Sequence, residues 1–268
     1  MSASVARLAR RALVRVSGPD RASFLQGLLT CEVEEIEPSA LRFGALLTPQ
    51  GKFLFDLFVA AEGDSLLLDV EAERRDAFVQ RLSPYRLRAK VEIAPIDGGV
   101  WARWSSPMSC ALPWRQDPRV ASLGARAYGE APEAETASED NYDAWRLAVG
   151  VPDPARDCEP DRSYPIEADF DLLHGIDFQK GCYVGQETTS RMKRRGEIRT
   201  RTVPIVFDGA APAMGSEILA GELRAGEVLT GRDGRALALV RLDRVQGAVL
   251  TVDGRRVHVD LPDWMTPA

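Results

Sequence analysis

The sequence predicts an α+β fold that ends in a small antiparallel β-barrel or sandwich. A helix with its start signal in place occupies Ser17 to Thr30, and a block of strands and turns follows from Gly44 to Val70. From Val203 onward, short runs of period two alternate with Gly and Asp turns, and no helix signal competes with them. The 268 residues suffice for two or three small domains. At 45% hydrophobic and 28% charged, the composition is that of an ordinary globular chain. No apolar run reaches the roughly 18 residues that a membrane span needs. A net charge of −6 argues against a general nucleic-acid coat, while leaving room for a local basic patch.

The first 19 residues hold four arginines and no acid, a pattern shared with mitochondrial presequences. Leu13–Val14–Arg15–Val16 reads as a strand, however, and SGPDRASFLQGLLT follows at once, so the stretch is assigned to the fold. In that helix Ser17 is the expected cap, Pro19 and Asp20 suit the first turn, and Phe24, Leu25, Leu28 and Leu29 form the buried face. Pro49–Gln50–Gly51 marks a turn. Beyond it, Phe53 to Val59 reads as a strand buried on both faces, with a second turn at Gly63–Asp64. Ala72 to Leu82 is expected to be helical, and Tyr85 to Ile93 to be a strand with one wet face. Short strands and loops are expected from Gly98 to Tyr128, around Trp101, Trp104 and Trp114. The acidic stretch 130–140 is expected to be a surface loop, and Asp140 or Asn141 to cap a helix that Gly150 and Pro152 end.

The four cysteines, Cys31, Cys110, Cys158 and Cys182, form no CxxC pair, and His174 and His258 are the only histidines. This spacing yields no zinc finger and no set of grouped ligands for a permanent metal or cluster. Scattered cysteines suit a reducing compartment.

Residues 176–201 read IDFQKGCYVGQETTSRMKRRGEIRTR. Gly181 and Gly185 bracket Cys182, and a helix can start at Gln186. Cys182 is then either a small buried filler or a presented thiol, and a helix start and Lys180 nearby would favour its thiolate. Neither histidine stands in a recognisable triad context. Six basic residues fall between Arg191 and Arg201 in this acidic chain. They read as a solvated edge or as an anion site for carboxylates or phosphates. With little aromatic interleaving, they argue against direct nucleic-acid binding.

KGCYVGQE followed by Arg191 resembles the signature of the YgfZ-type proteins, whose eukaryotic counterparts act in mitochondrial iron–sulfur assembly. The resemblance also covers VSGPDRASFLQGLLT, GALLTPQGKFLFDLFV and GIDFQKG, and runs along nearly the whole chain. It implies a fold like the T-protein of the glycine cleavage system: two interleaved α+β lobes over residues 1–198, with a boundary near 95–140, and an antiparallel β-barrel over 199–268. It implies a central cavity for tetrahydrofolate or a one-carbon derivative, and a role in making or maintaining [4Fe–4S] enzymes, a tRNA-modifying radical enzyme among them. By this resemblance Cys182 falls on the family's functional thiol. Lys180, Gly181, Tyr183, Gly185, Gln186 and Glu187 form its loop, with Gln186 and Glu187 expected to hold it by hydrogen bonds. Arg191 and Arg194 would meet the folate tail. The family's pterin-stacking aromatics map near Arg11 and Tyr142, and Glu167 would line the same pocket. Folate and iron–sulfur proteins are the implied partners, with no membrane. The implied compartment is the cytoplasm for a bacterial-type chain, or the mitochondrial matrix for a eukaryotic one. The alternative is a tetrahydrofolate-dependent aminomethyl or one-carbon transferase. Against it, Phe55 aligns with that enzyme's catalytic aspartate and Ala148 with its pterin-contacting glutamate.

Overall fold

The computed structural model describes residues 3–105, 111–196 and 198–266. Fifteen strands and six α-helices are named among them. The chain opens with β1 (Ser4–Arg7), β2 (Arg11–Ser17), α1 (Arg21–Gln26), β3 (Arg42–Leu47), β4 (Phe53–Glu62), β5 (Ser65–Glu71) and α2 (Arg75–Leu82). There follow β6 (Glu92–Ile96), β7 (Gly99–Trp104), β8 (Arg115–Gln116), β9 (Ala125–Gly129), α3 (Glu139–Val149), α4 (Pro154–Asp157) and α5 (Gln186–Arg195). The last part holds β10 (Thr200–Val206), β11 (Glu217–Ala220), β12 (Leu223–Arg232), β13 (Arg235–Arg241), α6 (Leu242–Val245), β14 (Leu250–Val252) and β15 (Arg255–Val259).

These strands make two antiparallel sheets and a closed barrel. One sheet has the order β3-β4-β5-β2-β6, the other β1-β7-β9-β8, and the barrel runs β10-β13-β12-β11-β14-β15. β1 and β2 are neighbours in sequence but belong to different sheets, so the two sheets are tied at their origin. Strand β4 is buried on both faces, as its unbroken apolar run predicts. Phe55, Leu57 and Val59 pack with Phe24, Leu25 and Phe78, whereas Phe53 and Phe58 pack with Phe43, Ile166 and Phe170. The barrel interior is filled by Val203, Ile205, Val228, Ala236, Ala238 and Val240, branched or small side chains that suit a narrow lumen. Burying the apolar face of each sheet against these elements supplies the main drive for folding.

Three sequence expectations are corrected. The first helix is only Arg21–Gln26, because Ser17 pairs with Ser65 and Glu92 as the last residue of β2. Gly18 turns the chain at φ +102, where a Cβ would lie 2.2 Å from the Lys90 carbonyl oxygen. Asp20 does not cap the helix with its side chain; it accepts the Lys90 N–H at 2.7 Å. The strand expected from Tyr85 begins at Glu92, after a 3-10 turn over Ser83–Tyr85 and a bend at Leu87, which has φ 37. The cap of α3 is Ser138. It accepts the Asn141 N–H, Asn141 accepts the Ser138 N–H in return, and Gly150 ends the helix in the left-handed conformation. Cys110 lies outside the described residues. No helix among those described is long and apolar enough to cross a membrane.

Candidate functional site

The loop that carries Cys182 is held from several sides. Asp177 donates its backbone N–H to the Thr30 carbonyl at 2.9 Å. Its carboxylate accepts the backbone N–H groups of Gln179 and Lys180 at 2.7 and 3.1 Å, an Asx turn. Thr30 Oγ1 donates to the Gly175 carbonyl at 2.6 Å and accepts the Ala45 N–H at 2.8 Å. Lys180 is buried, and its ammonium donates to the carbonyls of Leu29, at 2.9 Å, and Cys31. Burial lowers its pKa against the pull of neighbouring acids. The Lys180 charge is therefore a structural post and is not aimed at the thiol, contrary to expectation.

Tyr183 is buried and faces Thr189, and burial pushes its hydroxyl up to about 12. Val184 donates to the Gly27 carbonyl at 3.1 Å and Gln186 to the Tyr183 carbonyl at 3.2 Å. Gly185 has φ +85, and a Cβ there would lie 2.6 Å from the Thr48 oxygen and 3.0 Å from Gly51 Cα. The turn between β3 and β4 thus docks against the start of α5, which is where the sequence places a helix. Gly181 has open space around it, so of the two glycines that bracket Cys182 only Gly185 makes a close backbone approach. Among the described residues the side chains of Gln186 and Glu187 make no hydrogen bond to the loop; it is the backbone, Asp177 and Lys180 that hold it.

On this frame Cys182 is exposed, while Cys31 and Cys158 are buried. Burial raises the Cys31 thiol to about 11 and also raises that of Cys158. Beside the loop, Phe178, Gln186, Glu187, Ser190, Lys193 and Arg194 line an open groove along α5. The basic run divides. Lys193 pairs with Asp171 at 3.3 Å, and Arg201 donates to Asp169 and Asp171 at 2.8 and 2.9 Å. Arg191 and Arg194 are exposed and form no ion pair among the described residues; the Arg194 Nε–H donates to the Ser190 carbonyl at 3.4 Å.

A second location is the cleft between the two sheets. Arg11 donates to Asp69 at 2.6 Å, to Asp56 at 2.8 Å and to the Asp69 carbonyl at 2.7 Å. Arg126 donates to Asp69 at 2.9 Å and stands over the Phe58 ring at 3.9 Å. Arg119 is bound by Asp117 at 2.8 Å and reaches the Tyr142 hydroxyl at 3.4 Å. Burial opposes ionisation of Asp153, yet Arg146, Arg156 and Arg11 outweigh it and hold that carboxyl at about 2. A third location is the groove beside the barrel, where Glu167 lies with Cys158 and Met214. Glu167 accepts the Tyr164 N–H at 3.1 Å, and burial raises its pKa.

Comparison with known proteins decides the family. The chain is 31% identical over 305 residues to a mouse protein, "Iron-sulfur cluster assembly factor IBA57, mitochondrial", a match spanning 98% of this chain and 85% of the mouse protein. The human protein of that name is 30% identical, with 96% and 84% covered. The chain belongs to the IBA57 family. The expected YgfZ-type kinship thereby resolves to relatives that carry the IBA57 name. Residues 199–267 match a family model described as the CAF17 C-terminal β-barrel domain. The fold is similar to that of the glycine cleavage system aminomethyltransferase T from Bartonella henselae. That likeness has a TM-score of 0.77 at 16% identity and covers 97% of this chain and 85% of that one.

In this IBA57-family chain the expected site residues are not gathered in one place. Cys182 lies on the exposed loop ahead of α5, and Gln186, Glu187, Arg191 and Arg194 lie along that helix. Tyr142 lies in the cleft, and Glu167 lies in the groove beside the barrel. The residues set against a transferase are also placed differently. Phe55 packs edge-on against Phe78 at 5.4 Å in the core, and Ala148 is exposed. The carboxylates that line the cleft are Asp56, Glu139, Asp143 and Asp153. Burial raises the pKa of Asp56, with Arg11 opposing. The cleft residues do not fit a pterin. Arg11, in place of a stacking aromatic, has its donors engaged, and the Tyr142 ring meets Trp104 edge-on at 5.4 Å. Sequence reasoning missed Asp177, Thr30 and Gly51 as supports of the loop. Only Asp177, a carboxylate two and three residues ahead of the N–H groups it accepts, carried a local signal.

Proposed function

We propose that this IBA57-family chain is an iron–sulfur cluster assembly factor that offers one thiol, Cys182, to a cluster or sulfur intermediate carried by a partner protein. The observation that carries it is the contrast among the three thiols of the described residues: Cys31 and Cys158 are buried, and Cys182 stands exposed on a braced loop. A cluster takes about four protein ligands. Among the described residues no three of His, Cys, Asp and Glu are grouped to hold a metal ion. In this reading the remaining ligands come from the partner. Arg191 and Arg194, free of carboxylate partners on the adjoining helix, provide the charge for an acidic partner surface. The clients are [4Fe–4S] enzymes, tRNA-modifying radical enzymes included. The compartment is a reducing one: the cytoplasm in a bacterial cell, or in a eukaryotic cell the mitochondrial matrix. Folate has no step in this scheme.

The test is anaerobic cluster transfer from a cluster-loaded carrier to an apo-enzyme, with Cys182→Ser beside Cys158→Ser. Cys182→Ser is expected to lose most of the stimulation, and Cys158→Ser to keep it if folded. Equal stimulation by Cys182→Ser and the natural chain would remove the thiol role.

A further inference from the structure

We infer that the central cleft, where a T-protein-like fold leads one to expect a pterin, is closed to that ligand in this chain, and that buried guanidinium groups brace the sheets in its stead. Space comes first. The cleft has a volume of about 40 Å³, whereas a cavity of about 150 Å³ is of the size that takes one benzene. A bicyclic pterin cannot enter without expelling a side chain.

None of the side chains that would have to leave is free to do so. Arg11 on β2 binds Asp56 on β4 and Asp69 on β5, and Arg126 on β9 binds Asp69 from the other sheet. Withdrawing either strips a buried carboxylate of a counter-charge. The aromatic faces a pterin would use are occupied as well. Phe58 lies under Arg126 at 3.9 Å and Arg119 at 4.9 Å, and Tyr142 is wedged between Trp104 and Arg119. Among the described residues the mouth offers no spare cation for a glutamate tail. Arg10 is paired with Glu139 at 3.3 Å, and Arg156 with Asp153 at 2.6 Å and with Asp143.

The inference does not depend on the role of Cys182. Calorimetry on the full natural chain with 5-formyltetrahydrofolate, taken to about 1 mM, is the test, together with hydrogen exchange with and without the folate. No saturable heat is expected, and no new protection over residues 11–17 and 139–149. Micromolar binding with new protection in those two segments would overturn the inference. Binding with protection confined to other segments would support it, by placing folate outside the cleft. Each result leaves the Cys182→Ser outcome free to fall either way.

Discussion

Asp169 is fully buried, adopts φ +61 and gives one carboxylate oxygen to Arg201 at 2.8 Å, while its other oxygen has no hydrogen-bond partner. Burial raises its pKa from 3.8 to about 8, with Arg201 opposing. The folded chain therefore keeps a proton that the unfolded chain releases above about pH 4. Stability from this group is full below that pH and is lost as pH rises toward 8. Asp169→Asn is expected to flatten that fall, worth up to a few kcal/mol across the window, and thermal melts between pH 5 and 8.5 read it directly. An unchanged slope would reject the assignment. Some single-residue roles were legible in the sequence and others were not. Cys182 could be read because its neighbours spell a turn and a helix start. The Lys180 role could not, because its acceptors are main-chain carbonyls of Leu29 and Cys31, and carbonyls leave no mark on a sequence.

At the scale of elements, α5 and the turn between β3 and β4 behave as one part. Gly185 and Gly51, at φ +85 and +78, meet where any side chain would strike backbone or Thr188. Gly185→Ala is expected to destabilise the chain by about 1–3 kcal/mol, through strain at positive φ and a clash with Thr48. Gly181→Ala, in open space, should lie within about 0.5 kcal/mol of the natural chain. Denaturant midpoints separate the two, and equal midpoints would dissolve the docking. The α5 start was readable from Gly185 followed by polar helix formers. The first helix was read too long because Ser17 is a good cap in isolation, yet the sheet claims it through Ser65 and Glu92. Local preference yields there to strand pairing. The cap of α3 was read late for a related reason: Ser138 sits inside an acidic run that resembles a loop.

On the scale of the whole molecule, the barrel is fastened to the lobes by polar groups. Arg146 on α3 donates to Thr230 Oγ1 on β12 at 2.8 Å, and Asp157 accepts the Thr230 N–H at 2.9 Å. Leu147, Leu229 and Leu237 pack beside them. Arg146→Ala should cost about 3–5 kcal/mol, since it leaves buried Asp157 uncompensated, and should speed proteolysis near residue 199; an unaltered melt and digestion pattern would refute the fastening. The barrel was legible because its strands keep period two between turns. The division of β1 and β2 between two sheets was not, since pairing partners so far along the chain leave no local periodicity. The same long reach sets when the thiol becomes available. The bonds that seat its loop join residues 145 and 151 positions apart, Thr30 to Gly175 and Lys180 to Leu29. Contacts of such separation close late in folding. In the reading proposed above, Cys182 therefore gains its frame only when two segments about 145 positions apart have met, and competence for cluster work follows the folding of the lobes and does not precede it.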